Sequence, residues 1–142
     1  MTKTLGIALM GTGRMAHVYG PKINAHPGLR LEVIYNPRIA SAQKAVEQYG
    51  GRPMDDLDSV LADPVIATPT DTHVDYIEAA ARAGKAIYCE KPLDQSLERV
   101  ARAMQALDAN PVPFMLGFNR RFDPDNAMLQ QAVRAGEVGA LN

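Results

Sequence analysis

The 142-residue chain is predicted to adopt an α/β fold, with a doubly wound parallel sheet covered by helices on both faces. Short apolar runs alternate with helical patterns along the chain, an order typical of βαβ units and parallel sheets. The first run, LGIALM at Leu5–Met10, is continuously apolar, as expected of a strand buried on both faces. A glycine-rich turn, GTGRMA at residues 11–16, follows it directly. Because such sheets bind ligands at the carboxyl ends of their strands, we expect functional residues just after each strand.

The first half of the chain is predicted to contain three strand–helix units. The run at Leu5–Met10 precedes a helical pattern at Arg14–His26, which Gly20-Pro21 should kink or split. The run LEVIY at Leu31–Tyr35 predicts the second strand. The elements that follow are predicted to be a helix at Ile39–Tyr49, a very short strand near Arg52 and Pro53, and a short helix at Asp55–Ala62.

The second half continues the same alternation. Its predicted strands are Val65–Ala67, Ala86–Cys89 and Phe114–Phe118, and its predicted helices are Thr72–Ala83, Ser96–Ala109 and Pro124–Ala135. Ser96 is a suitable N-cap for the middle helix. The spacing of four apolar residues in that helix predicts that they line one face: Leu97, Val100, Met104 and Leu107.

Composition excludes several classes of function. With 15 Lys and Arg against 16 Asp and Glu, the net charge is -1, and no basic field points to nucleic acid. No apolar run approaches the roughly 20 residues that span a bilayer, so no membrane contact is expected. Cys89 is the only cysteine, and no histidines have metal-ligand spacing, so we expect neither a disulfide nor a metal site. This cysteine usage fits a reducing compartment, and we expect a cytoplasmic protein.

The turn after the first strand has the pattern G-x-G-x-x-A of a dinucleotide-binding site. Its first glycine permits a tight turn, its second lets the backbone approach a diphosphate, and Ala16 keeps the helix close to the strand. The start of the helix offers free N–H groups to the anion. The predicted cofactor-binding residues here are Gly11, Thr12, Gly13, Arg14 and Met15. The alternative is a turn with a purely structural role.

The end of the second strand bears on the choice between NAD and NADP. An acidic residue is usual here for the hydroxyls of the adenosine ribose, but this sequence has Asn36. Asparagine can bond a hydroxyl without repelling a 2′-phosphate, and Arg38 could pair with that phosphate. Equally, Asn36 could be a turn residue and Arg38 a solvated cation. We expect NAD as the cofactor, with NADP possible.

Three stretches identify a family resemblance: GTGRMA at 11–16, VIATPTDTHVDYIEAAARAGKAIYCEKPL at 65–93 and GFNRRFDP at 117–124. In this order and spacing they resemble the glucose–fructose oxidoreductase, inositol dehydrogenase and rhizopine-catabolism (Gfo/Idh/MocA) family, and within it most closely the myo-inositol 2-dehydrogenases. The resemblance implies an NAD(P)-binding Rossmann domain of a dehydrogenase. Such an enzyme oxidises a secondary alcohol of a cyclitol or sugar by hydride transfer to the nicotinamide. It also implies a small-molecule polyol substrate and a full-length protein that is a homo-oligomer.

The resemblance further assigns roles to residues after the later strands. Ala67, Thr68 and Pro69 would border the cofactor, and His73 would lie near a cofactor ribose, unless it is only a surface or capping histidine. Three residues follow the next strand: Glu90, Lys91 and Pro92. In the family a cis bond often precedes this proline, and the lysine is catalytic because it hydrogen-bonds the reacting hydroxyl. Lys91 could otherwise be a solvated loop cation. Arg120 would contact cofactor or substrate, although the sequence does not decide between Arg120 and Arg121.

The resemblance also implies a division into domains. Residues 1–120 would form the NAD(P)-binding Rossmann domain, and 121–142 a connecting helix toward a second, α+β domain that supplies a catalytic Asp and His. Neither residue has a match here, so we expect these 142 residues alone to be inactive. The alternatives to a dehydrogenase are a cofactor-binding module without turnover, or a regulatory protein with a degenerate cofactor site.

Overall fold

The structure is a computed structural model that describes residues 4–61 and 72–139. Strands and helices alternate along both segments, as the sequence predicts. The elements are β1 (Leu5–Met10), α1 (Arg14–Ala25), β2 (Leu29–Tyr35), α2 (Ile39–Tyr49), β3 (Arg52–Met54), α3 (Leu57–Val60), α4 (His73–Arg82), β4 (Ile87–Glu90), α5 (Leu97–Ala109), β5 (Phe114–Gly117) and α6 (Pro124–Arg134), with a 3-10 turn at Asn119–Phe122. The strand predicted at Val65–Ala67 lies outside the described residues.

All strand pairs in the described segments are parallel. Strands β1, β2 and β3 form one sheet in that order, and β4 pairs with β5. In register, Met10 lies opposite Tyr35, and Tyr35 lies opposite Met54. The carboxyl ends of the first three strands therefore share one edge, where the sequence places its glycine-rich turn and Asn36. Glu90 likewise lies opposite Gly117 at the ends of β4 and β5.

Apolar side chains lie on both faces of the sheet, which explains the continuous hydrophobic run in β1. Ile7 and Leu9 join one core cluster, while Ala8 and Met10 join the other. Buried residues of α1 and α2 complete the first cluster, and buried residues of α3, α4 and α5 complete the second. Helices thus cover both faces, and the predicted doubly wound α/β fold is confirmed.

Helix α1 is not split at Gly20-Pro21, one of the two predicted outcomes, but continues through both residues as one helix. Gly20 is buried, and a Cβ there would lie 2.7 Å from Cγ of Tyr49 on α2. Glycine therefore allows the two helices to pack closely, and this tertiary contact outweighs the local tendency to break.

The predicted apolar face of α5 is partly wrong. Leu97 is 87% exposed and Met104 is 47% exposed, whereas Ala103 and Leu107 are buried. The contact with α4 uses small residues on both helices, including Ala80 and Ala81, so the buried stripe of α5 turns toward Ala103. Ser96 caps α5 as predicted, since its hydroxyl accepts a hydrogen bond from the Arg99 amide at 3.4 Å.

Helix α6 has no buried residues among those described, and Met128 and Leu129 are both more than half exposed. It begins at Pro124, capped by the carboxylate of Asp123. The assignment of 121–142 as a connecting helix stays a prediction. Over the two described segments, no helix combines the length and hydrophobicity needed to cross a bilayer.

Candidate functional site

The glycine-rich turn between β1 and α1 lies at the shared edge of the first sheet. Gly11 has a φ of 97°, a conformation that residues with a Cβ rarely adopt. Its amide donates to the carbonyl oxygen of Tyr35 at 2.8 Å, which fixes the turn against the end of β2. The backbone itself therefore requires glycine at position 11.

Gly13 is different, because nothing in the described protein requires glycine there. Its φ of -80° suits any residue, and a Cβ built on it would meet no atom of residues 4–61 or 72–139 within 4 Å. Helix α1 begins immediately after it without a side-chain cap and without an acidic residue in its first turn. The amides of Arg14 and Met15 therefore have no intrahelical acceptor, beside open space that a side chain at position 13 would partly fill. This is the geometry of an anion-binding helix N-terminus.

Asn36 joins the end of β2 to this turn. Its Nδ2 donates to Oγ1 of Thr12 at 2.9 Å, and its Oδ1 accepts from the amide of Arg38 at 2.9 Å. The Arg38 residue is exposed on the N-terminal side of α2. A neutral amide thus occupies the position where a carboxylate would select NAD. NAD and NADP therefore both remain possible cofactors.

The second part of the candidate site follows β4. Lys91 and Pro92 are exposed, and the peptide bond between them is cis, as the family resemblance implies. The Lys91 amide donates to Oε2 of Glu90 at 3.2 Å. The residues Ala67, Thr68 and Pro69 lie outside the described residues.

His73 lies beneath this loop rather than on the surface. It is 1% exposed, and its Nδ1 lies 3.0 Å from the carbonyl oxygen of Pro92. Since a carbonyl can only accept, Nδ1 carries the proton and donates it. His73 therefore links the start of α4 to the Lys91–Pro92 turn, and its effect on a cofactor would pass through that loop.

Two tyrosines that the sequence did not single out surround Glu90. The Tyr19 hydroxyl donates a hydrogen bond to Oε1 of Glu90, and the Tyr88 hydroxyl donates to the same oxygen at 3.2 Å. The two hydroxyls lie 2.8 Å apart. Tyr88 and Glu90 are two residues apart in one strand and so share a face, which is a readable signal, but Tyr19 is 71 residues away from Glu90.

The third part of the candidate site follows β5. Arg120, Arg121 and Arg134 line a cavity of about 590 Å³ together with Asn126 and Gln130. Arg120 lies 3.2 Å from the carboxylate of Asp123, so its charge is partly balanced. This paired charge distinguishes it from Arg121, for which no acidic partner lies among the residues described here.

Cys89, the residue before Glu90, is part of the core. Its side chain is buried, and burial raises the pKa of its thiol to about 12. This burial agrees with its place at the end of the strand predicted at Ala86–Cys89. Within the segments that the structure covers, no three His, Cys, Asp or Glu residues form a cluster that could hold a metal.

Comparison with known proteins gives a family match over most of the chain. Residues 5–118 match the model of the Gfo/Idh/MocA oxidoreductases, described as an oxidoreductase family with an NAD-binding Rossmann fold. An inositol 2-dehydrogenase of Rhizobium meliloti is 38% identical over 97% of this chain and 43% of its own length.

Solved structures give the same result. A myo-inositol dehydrogenase of Corynebacterium glutamicum superposes with a TM-score of 0.83 at 40% identity, covering 98% of this chain and 43% of that one. A scyllo-inositol dehydrogenase of Lactobacillus casei, with bound NAD(H) and scyllo-inositol, has a TM-score of 0.86 at 26% identity, covering 96% and 43%. The chain thus spans less than half the length of the relatives it matches.

Proposed function

The chain belongs to the Gfo/Idh/MocA family of oxidoreductases, in the part with the NAD-binding Rossmann fold, and we propose that it holds a nicotinamide dinucleotide across its strand ends. The observation that carries this proposal is the uncapped start of α1 beside Gly13. Free amides, the positive end of the helix dipole and an absent Cβ together suit a diphosphate.

Each candidate residue has a role in this proposal. Gly11, Thr12 and Gly13 shape the cradle, which is the space for a diphosphate between the glycine-rich turn and the start of α1. The amides of Arg14 and Met15 bind the diphosphate there. Asn36 and Arg38 face the adenosine ribose. Glu90, Lys91, Pro92 and Arg120 lie toward the nicotinamide. The roles of Ala67, Thr68 and Pro69, which lie outside the described residues, stay those that the family resemblance implies. His73 supports Pro92 through the hydrogen bond to its carbonyl.

The proposed reaction of the whole protein is oxidation of a secondary alcohol of a cyclitol or sugar. The bound cofactor supplies the carbon that accepts the hydride. Lys91 is the proposed catalytic residue, because its ammonium group can donate a hydrogen bond to the substrate oxygen and orient it. The hydroxyl proton would pass to the catalytic His of the second domain that the family resemblance implies. The inositol dehydrogenases among the relatives support the substrate class.

Calorimetric titration of this chain with NADH, NADPH and ADP-ribose tests the proposal. We expect saturable binding of NADH and of ADP-ribose, because ADP-ribose carries the diphosphate and the adenosine. An assay of the whole protein with NAD and myo-inositol then separates a dehydrogenase from a module that only binds cofactor, because these 142 residues alone are expected to be inactive. Absence of binding by all three ligands would refute cofactor binding.

A further inference from the structure

Tyr19, Tyr88 and Glu90 form a hydrogen-bonded cluster at the carboxyl end of β4, directly before Lys91. Both hydroxyls converge on Oε1 of Glu90, and the tyrosine rings meet edge to face with centroids 5.6 Å apart. The other carboxylate oxygen, Oε2, accepts from the Lys91 amide. All three side chains are half-buried. One carboxylate thus connects two phenols to the backbone of the lysine loop.

We propose that Tyr19 and Tyr88 are positioning residues, which hold the Glu90 carboxylate and through it fix the Lys91 loop against the nicotinamide end of the cofactor. This inference rests on the proposed function and adds two residues to it. The hydrogen bonds of both hydroxyls go to each other and to Glu90, and none goes to the glycine-rich turn. Their effect is therefore expected at the nicotinamide end and not at the diphosphate.

Tyr19 also connects this cluster to helix α1. Tyr19 lies on α1, about one and a half turns after Arg14, whose amide opens the proposed diphosphate site. The same helix that would bind the diphosphate is therefore hydrogen-bonded to the residue preceding Lys91. The two ends of the cofactor site are connected through one rigid element and one carboxylate.

The surroundings of the cluster leave little room for another arrangement. A Cβ at Gly117 of β5 would lie 2.6 Å from the Tyr88 hydroxyl and 3.1 Å from Oε1 of Glu90. Glycine at this position therefore accommodates both groups. Burial raises the pKa of both phenols, and the hydrogen bond to Glu90 adds to the rise at Tyr19. Both tyrosines accordingly stay protonated and remain donors to the carboxylate through the neutral range.

The test measures the dissociation constants of NADH and ADP-ribose for this chain and for Tyr19→Phe and Tyr88→Phe. Each variant keeps the ring and removes only the hydroxyl. We expect NADH binding to weaken about three- to tenfold, the effect of one hydrogen bond, with ADP-ribose binding unchanged within about twofold. The fluorescence of bound NADH should change in parallel, because it reports the environment of the nicotinamide.

Tyr49→Phe is the matched control. The Tyr49 hydroxyl is hydrogen-bonded to Nδ1 of His17, away from the lysine loop, so its removal should leave the ratio of the two dissociation constants unchanged. A second comparison places Tyr19→Phe in a Glu90→Ala background. If Tyr19 acts through Glu90, it has no further effect on NADH binding there, whereas a general structural role would give additive losses.

The outcomes are distinct. Variants that bind NADH and ADP-ribose in the wild-type ratio would overturn the positioning role while leaving the proposed function intact. Equal losses for both ligands would also overturn it, because the effect would then be general. A wild-type chain that binds neither ligand would refute the proposed function itself.

Discussion

Replacing Gly13 with alanine should weaken cofactor binding by roughly one to two orders of magnitude without unfolding the protein. The geometry at position 13 indicates that the fold tolerates alanine. The backbone at position 13 has a φ of -80°, and a Cβ there would contact no atom of the described residues within 4 Å. Alanine is a poorer N-cap than glycine, but it also restricts the unfolded chain, so the free energy of unfolding should change by less than about 1 kcal/mol.

The loss of binding should be larger. A methyl group at position 13 would occupy the space beside the first amides of α1, so a diphosphate would retreat and lose at least one charge-assisted hydrogen bond. Such a bond contributes about 1.5–3 kcal/mol. The dissociation constant for NADH should therefore rise roughly 10- to 150-fold in calorimetric titration.

Gly50→Ala is the matched control for this prediction. Its Cβ would also meet open space, but Gly50 has a φ of 80° and a ψ of -168°, a region that is nearly exclusive to glycine. This variant should lose about 1–3 kcal/mol of stability in urea and bind NADH normally. Wild-type affinity in Gly13→Ala would refute the assignment of the cradle.

Three further predictions concern other parts of the site. Asn36→Asp should weaken NADPH binding about tenfold relative to NADH binding, because a carboxylate at position 36 would repel the 2′-phosphate of NADPH. Parallel titrations of the variant with NADH and NADPH measure this ratio. His73→Leu should lower the free energy of unfolding, measured in urea, by about 1–3 kcal/mol, because the Pro92 carbonyl loses its hydrogen-bond donor. His26 lies on the exposed surface, so His26→Leu should lower the free energy of unfolding much less. Cys89 should resist a thiol reagent in the native state at pH 8, since its pKa near 12 keeps it protonated, and rapid labelling would contradict its burial.

Local patterns sufficed to predict the alternation of strands and helices in the described residues and the sheet edge where the glycine-rich turn lies. The run at Leu5–Met10 is apolar on both faces because two helical layers cover it, and that requirement is visible in the residues themselves. The capping role of Ser96 is equally local.

Contacts between distant segments could not be predicted in this way. The exposure of Leu97 and Met104 follows from how closely α4 approaches α5, and alanines on both helices set that approach. The Tyr19–Glu90 hydrogen bond joins residues 71 positions apart, and the residue pattern of neither segment predicts it. What the sequence could not give was the relative placement of elements, on which both features depend.

Gly11 and Gly13 differ in how strongly they support a binding function. Gly11 has a positive φ and would be required in any protein with this turn, so its presence does not distinguish a binding site from a structural turn. Gly13 adopts an ordinary φ and faces open space, so neither backbone conformation nor packing within the described residues accounts for it. A glycine that the atoms of the described residues do not require is consistent with a ligand in the space beside it. The pattern G-x-G-x-x-A therefore supports dinucleotide binding here chiefly through its second glycine, and substitution at position 13 is the decisive experiment.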